Sequence, residues 1–172
     1  MISHRSAFRQ RGISLIEILI ALFVLAIGVL GYAGMQLFSL RGAEDAGYRA
    51  TAMLIAVDTM ERIMLNSEEE AGYFSASAWP TTAPTPGGSY PDGCMSSACT
   101  AAQLVDADID QLAWAAANSL PNGMIRAQND CTGVPSPDCV VVSWGEFTPD
   151  NCLSGSAINT AASCVVLEAR RL

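Results

Sequence analysis

Arg11-Gly12-Ile13-Ser14-Leu15-Ile16-Glu17-Ile18-Leu19-Ile20-Ala21-Leu22 is the stretch that decides how this chain is built. A basic, polar head with Arg5, Arg9 and Arg11 stops at Gly12, and a long apolar run starts at once. From Ile13 to Leu30 only Ser14 and Glu17 are hydrophilic. About 20 apolar residues in a helix span the hydrocarbon core of a bilayer, so the run is long enough to cross one. Glu17 is the anomaly. A carboxylate within an isolated spanning helix costs roughly 2.5–3.5 kcal/mol on insertion scales.

Two plain readings leave Glu17 unexplained. A secretory signal peptide fits the basic head, and Gly31-Tyr32-Ala33 passes as a small-x-small cleavage site. The run exceeds the usual h-region of about 7–15 residues, however, and it contains an acid. A simple transmembrane anchor keeps the run but gives the acid no partner.

A third reading accounts for the acid. Residues Arg11 to Leu22 resemble the class III signal of type IV prepilins and of type II secretion pseudopilins. The resemblance implies that a prepilin peptidase cuts after Gly12 and methylates the new amine of Ile13, and that the apolar run is kept. Ile13 stands where Phe is commonest in these families. Glu17 would then be the fifth mature residue, one helical turn from a charged amine, and in a stacked assembly it also meets a neighbour's amine. Neither charge is tolerable alone in hydrocarbon, but the pair is far less costly. Glu17 thus becomes a subunit-docking group.

Charge and cysteine placement agree with export of the rest. The 172 residues hold nine Arg, no Lys and seventeen acids, with a net charge of −8; three of the Arg and the lone His4 lie within the first twelve residues. Basic residues before an apolar span favour cytoplasmic retention of that end. An acidic body without Lys is unsuited to nucleic acid, whose affinity comes from cationic contacts to phosphate. Cys94, Cys99, Cys131, Cys139, Cys152 and Cys164 all lie in the C-terminal half, an even count that suggests disulfides in an oxidising compartment. Six cysteines allow fifteen connectivities. Sequential pairing, Cys94–Cys99, Cys131–Cys139 and Cys152–Cys164, is the most economical, each bridge closing a local loop. Zinc is the weak rival, because no CxxC spacing occurs and no His survives removal of the leader.

Beyond the apolar run, Gly28, Gly31 and Gly34 recur every three residues. They mark either close helix packing or soft points at which the helix bends or melts, and the second is expected here. From residue 43 to 66 the pattern turns amphipathic. Ala50, Met53, Leu54, Val57, Met60 and Met64 share one face, the Met residues as core filler, and Asp45–Arg49 and Asp58–Arg62 form i, i+4 pairs. One helix from Ile13 to about Asn66 would be roughly 80 Å long. Glu68, Glu69 and Glu70 lie just past its end, in a solvated turn.

Residues 72–98 are rich in Pro, Gly, Ser and Thr and read as a long surface loop, anchored by Tyr73, Phe74, Trp79 and Tyr90. Thr100-Ala101-Ala102-Gln103 matches a capping box and opens a second helix over 101–118, with Val105, Ile109, Leu112, Ala113 and Ala116 inward and Pro121-Asn122-Gly123 closing it. Asp106, Asp108 and Asp110 mimic the start of an EF-hand loop, but Gln111 stands where Gly is required and Ala117 where Glu is. A solvated helix face is the expectation there. Strands are expected at 124–128, at 139–144 with an extension to Phe147, and at 164–171.

Without His or Lys after the leader, the common nucleophile, P-loop and His-metal chemistries have no residues to work with. Neither an enzyme nor a cofactor is expected. The whole pattern resembles the type IV pilin-like superfamily, and within it PilV-type minor pilins, the type IV pilus modification proteins. The matching points are Ile27 to Gly31, Met35-Gln36, Met60-Glu61 and the Cys-rich C-terminal half. The resemblance implies an α+β fold, a long N-terminal helix packed on a small antiparallel sheet head with disulfides. It divides the chain into a leader (1–12), a transmembrane or filament-core half-helix (13–40) and a periplasmic head (41–172). The head comprises the amphipathic half-helix 41–66, the loop 72–98, the helix 101–118 and the sheet region 124–171. The implied role is priming of pilus assembly at the inner membrane and incorporation at or near the fibre tip, supporting twitching motility and adhesion. Implied partners are the prepilin peptidase, other minor pilins, the major pilin and a tip adhesin. The alternatives are an I-type minor pseudopilin of a type II secretion system, which shares this N-terminus, and a pilus-tip adhesin using the 72–98 loop.

Overall fold

The computed structural model describes residues 12, 14–131, 137–155 and 157–169. The chain divides into two compact units, Met1–Glu44 and Asp45–Leu172. Helix α1 (Leu15–Leu65) starts in the first and ends in the second. It is followed by a 3-10 turn (Ser67–Glu69), the single turn α2 (Glu70–Tyr73) and α3 (Ala101–Ser119). Strands β1 (Met124–Gln128), β2 (Asp138–Ser143), β3 (Leu153–Ser154), β4 (Ala157–Ile158) and β5 (Cys164–Ala169) complete the order.

In the first unit the part of α1 from Leu15 to Leu40 exposes every one of its large apolar side chains, from Ile18 at 47% to Phe38 at 83%. Its most apolar 18-residue window has a mean hydropathy of 2.6, enough by length and composition to cross a membrane. The expected melt at Gly28, Gly31 and Gly34 does not occur: α1 is unbroken there. Strong helix formers such as Leu25, Leu30, Ala33 and Met35 flank these glycines and carry the helix through them, although each Gly costs up to ~1 kcal/mol relative to Ala. A Cβ at any of the three would meet nothing within 4 Å, so they serve no close packing inside the chain.

In the second unit the face of α1 that is buried differs from the expected one. Ala52, Ile55, Ala56, Thr59, Met60 and Ile63 are buried, whereas Ala50, Met53, Leu54, Val57 and Met64 are not. Of the methionines expected as core filler on α1, only Met60 serves. The cause is that this part of α1 is apolar on two opposite sides. The side with Ala52, Ala56 and Thr59 is flatter and lets neighbouring elements approach closely, and Thr59 satisfies its hydroxyl on the Ile55 carbonyl at 2.7 Å. Both i, i+4 pairs form, Asp45–Arg49 at 2.9 Å and Asp58–Arg62 at 3.2 Å.

The capping box at Thr100 and Gln103 is present, and Val105, Ile109, Leu112, Ala113 and Ala116 are buried as the spacing predicts. At the turn after α3, a Cβ on Gly123 would sit 2.0 Å from the Ala116 carbonyl oxygen, so only Gly fits. The antiparallel sheet has the order β1-β2-β5, with Val141 of β2 opposite Arg126 of β1 and Val166 of β5. All six residues of β2 are buried because both sides are covered. Val140 and Val142 join the core shared with α1 and α3, while Cys139 and Val141 join Cys131, Cys152, Ala162 and Cys164. β2 does not continue to Phe147, since Gly145 at φ 73° turns the chain after Trp144. β5 is described over Cys164–Ala169, and Arg170 and Arg171 of the expected strand lie outside the described residues.

Three disulfides join consecutive cysteines: Cys94–Cys99, Cys131–Cys139 and Cys152–Cys164, with Cα–Cα distances of 5.6, 6.0 and 5.8 Å. Loops of this length gain about 2–3 kcal/mol each in the chain-entropy account. The latter two bridges form the second core layer behind β2. The fold is therefore α+β, with a long N-terminal helix and a small disulfide-backed antiparallel sheet.

Candidate functional site

Gly12 is exposed and non-helical, and Ile13 lies outside the described residues. The Ser14 carbonyl accepts from the amides of Glu17 (3.0 Å) and Ile18 (3.3 Å), which starts α1. Glu17 stands in the first turn, where a carboxylate complements the helix dipole. It is exposed among Leu15, Ile16, Ile18 and Ile20 and forms no ion pair among the described residues. Among the described residues it is thus an acid without an ion-pair partner at the start of an apolar helix.

The second unit presents a separate apolar strip on α1, opposite the side it buries. Met53 (44%), Leu54 (72%), Val57 (38%), Met64 (68%) and Leu65 (88%) are all exposed. Met53, Leu54, Val57 and Met64 belong to the face that the sequence pattern assigned to the core.

Beside it lies a polar cluster that sequence reasoning missed. Asp108 of α3 is buried, and its carboxylate accepts from Arg62 Nη1 at 2.7 Å and from the Tyr73 hydroxyl at 2.6 Å. Arg62 Nη1 also donates to Gln111 Oε1 at 3.0 Å, and its Nε donates to Asp58. Asn66 Nδ2 donates to the Tyr73 hydroxyl at 3.3 Å and to the Ala101 carbonyl at 2.9 Å. Burial and the hydrogen bond to Asp108 push the Tyr73 hydroxyl up to about 12. Burial alone would lower the Arg62 value, but Asp108 and Asp58 outweigh it and the net shift is upward. The cluster ties the end of α1 to α2 and α3 and so fixes which side of α1 stays outside.

The signal for it was present. Asp108 is three residues after Val105 and four before Leu112, on the inward stripe of α3. The expected solvated face holds for Asp106 and Asp110, which are exposed, but not for Asp108. With Asp108 turned inward onto Arg62, the three acids do not converge, and no group able to hold a metal occurs among the described residues.

Tyr73, Phe74 and Trp79 are buried, and Trp79 Nε1 donates to the Tyr73 carbonyl at 2.7 Å. Tyr90 is half exposed and packs edge-on against Trp114, with ring centroids 5.1 Å apart. The expected loop thus begins within α2 and contains two further 3-10 turns, Ala76–Ala78 and Gly93–Met95.

Comparison with known proteins gives two matches. A family model described as Type IV pilin Tt1218 matches residues 34–110, and one described as Prokaryotic N-terminal methylation motif matches residues 7–33. No curated protein and no solved structure matches the chain.

Proposed function

We propose, from the premise that this chain is a type IV pilin-like protein, that it is a minor pilin that primes type IV pilus assembly and ends at or near the fibre tip. Within that superfamily we assign it to the PilV type. A pilin subunit carrying an N-methylation motif is processed by a prepilin peptidase and assembles with other pilins. The finer scheme is ours. Residues 1–12 are the leader, cleavage falls between Gly12 and Ile13, and Ile13 is N-methylated. Residues 13–40 anchor the subunit in the inner membrane as a single span and then enter the filament core. Residues 41–172 form the periplasmic head. Partners are the other minor pilins, the major pilin and a tip adhesin. Twitching motility and adhesion depend on the assembly it starts.

The observation that carries this reading is Glu17, the one acid on an otherwise apolar, fully exposed stretch of α1 and without an ion-pair partner in the described chain. An exposed apolar helix needs lipid or other helices around it, and a lone carboxylate there needs a cation. The amine released at Ile13, on this chain or on a neighbour, meets that need.

Intact mass of the membrane-extracted protein tests the processing. The expected species has lost residues 1–12 and gained one methyl at Ile13; an uncut chain, or one starting near Gly34, overturns it. Glu17→Ala is expected to leave head folding intact and to abolish incorporation into pili. Deletion is expected to stop twitching with exoprotein secretion intact, and the reverse phenotype would place the protein in a type II secretion system instead.

A further inference from the structure

Residues 87–94 run back along α3 as a strap. The Gly87 amide donates to Asn118 Oδ1 at 2.7 Å, and Trp114 Nε1 donates to the Gly88 carbonyl at 2.9 Å. Tyr90 stands edge-on to Trp114, and Gln111 Nε2 donates to the Pro91 carbonyl at 3.3 Å. A Cβ on Gly93 would lie 2.7 Å from the Ala107 Cβ, and Cys94 Sγ is 3.8 Å from the Gln103 carbonyl oxygen. Going forward along the strap therefore means going backward along α3, from Asn118 through Trp114, Gln111 and Ala107 to Gln103. Those positions are three or four apart and share one face of the helix. It is opposite the face that Ile109, Leu112 and Ala116 turn to the core.

The strap ends in a covalent clasp. Cys94 is bonded to Cys99, and Thr100, the N-cap of α3, follows at once. The clasp differs from the other two disulfides in where it sits. Cys131, Cys139, Cys152 and Cys164 are buried in the layer behind β2, where an incoming thiolate reaches them only if the head opens. Cys94 is half-buried, Cys99 is exposed, and the residues between them are exposed as well. Access to the sulfur is one of the terms that set the rate of thiol–disulfide exchange. The strap itself buries little: Gly87, Gly88, Tyr90, Asp92 and Gly93 are all exposed. Segments with few buried contacts and solvent-exposed hydrogen bonds are the first to open.

We propose that Cys94–Cys99 is a thiol–disulfide exchange site for a dithiol oxidoreductase, and that its reduction releases the strap from α3. A thiolate of the partner attacks the sulfur of the more exposed residue, Cys99. A bond forms between the partner's sulfur and Cys99, the Cys94–Cys99 bond breaks, and Cys94 leaves with the electron pair. It takes a proton from solvent and, as a thiol, has the Gln103 carbonyl beside it as an acceptor. The partner's second thiolate then attacks the partner's first sulfur, which closes the partner's own disulfide and expels Cys99. That thiolate stands one residue before the N-cap of α3, where the helix dipole favours negative charge, and it is protonated in turn. Two electrons pass from the dithiol to the clasp, and the two protons that the dithiol gives up balance those gained by Cys94 and Cys99. Once unclasped, the strap keeps only exposed hydrogen bonds and the Tyr90 ring contact, and it lifts to uncover Ala107 and Trp114. The core and the two buried disulfides stay as they are. The exchange does not depend on the assembly role proposed above.

The test uses the full-length oxidised protein in detergent, with dithiothreitol and, separately, thioredoxin as the dithiol. Freed thiols are alkylated and located by peptide mass spectrometry, and backbone hydrogen exchange is followed on the same samples. Cys94 and Cys99 are expected to be labelled together, at least about 100-fold faster than the four buried cysteines. Hydrogen exchange over 87–94 is expected to speed up at least about tenfold, while β1, β2 and β5 keep their protection. A thioredoxin whose second cysteine is replaced by Ser is expected to be trapped on Cys99. The double variant Cys94→Ser, Cys99→Ser is expected to fold and to show the fast exchange over 87–94 without any reductant. Labelling of all six cysteines at one rate, or of a buried pair first, overturns the proposal. So does labelling of Cys94 and Cys99 with unchanged exchange over 87–94, or a double variant that fails to fold, since the bridge would then be purely structural. Trapping on Cys94 overturns the assigned direction of attack.

Discussion

Replacing Asp108 with Ala removes the acceptor that joins Arg62 to Tyr73. The carboxylate is buried and takes two hydrogen bonds, at 2.7 and 2.6 Å. The Tyr73 side chain is fully buried, so its O–H loses its only acceptor without access to water, at a cost of ~1–3 kcal/mol. Arg62 fares better. Its side chain is 28% exposed, and Asp58 and Gln111 remain as partners, so its loss is smaller than for a fully buried ion. The total is expected at ~2–4 kcal/mol, toward the lower part of the roughly 3–5 kcal/mol for breaking a buried pair. For a unit of this size that is about 3–5 °C in Tm per kcal/mol, hence a loss of roughly 6–20 °C. The assay is thermal unfolding of the full-length protein in detergent, followed by near-ultraviolet circular dichroism. Tyr73→Phe alone is expected to cost ~1–2 kcal/mol. The double variant is expected to fall short of the sum by ~0.5–3 kcal/mol, because both changes break the same bond. An Asp108→Ala protein that melts with the parent, or a cycle that sums, would refute the assignment of this cluster as the fastener of α1.

Three further outcomes are expected. The Tyr73 hydroxyl ionises at about 12 in the folded chain against 10.0 in the unfolded one, so its contribution to stability is complete below about pH 10 and is lost as the pH rises toward 12; alkaline unfolding curves should show this decline, and Tyr73→Phe should flatten it. Ser143 Oγ is buried without a hydrogen-bond partner among the described residues, so Ser143→Ala should raise stability by about 0.5–2 kcal/mol, read as a higher Tm; a lower Tm would mean that the hydroxyl is satisfied. Leu54→Glu, on the exposed strip of α1, should leave the melting temperature within about 2 °C of the parent, as surface changes usually do, and reduce co-purification with partner pilins; intact co-purification would show that this strip is not an assembly surface.

Much of the architecture was legible because it is written locally. The apolar run with its single acid, the capping box at Thr100, the inward stripe of α3 and the three main strands each depend on residues within a few positions of one another. Boundaries moved where the backbone turned, as at Gly145, whose left-handed backbone keeps β2 from reaching Phe147.

Other features were settled by contacts that spacing does not encode. Both sides of α1 beyond residue 45 are apolar, and a periodicity count selects the bulkier one. The fold buries the flatter one, because close packing of α1 in the core favours Ala52 and Ala56 over Met53 and Leu54. Asp108 reads as one of three solvated acids until Arg62 and Tyr73, 46 and 35 residues away, close on it. The strand order β1-β2-β5, the disulfide layer behind β2 and the tethering of Gly87 and Gly88 to Asn118 and Trp114 likewise exist only once distant parts of the chain meet. By itself the sequence determined the apolar helix, its lone carboxylate at Glu17 and the type of each main element, since these follow from local composition and periodicity. The tertiary structure alone decided which side of that helix stays outside, because that choice turns on how closely elements far apart in the chain can approach.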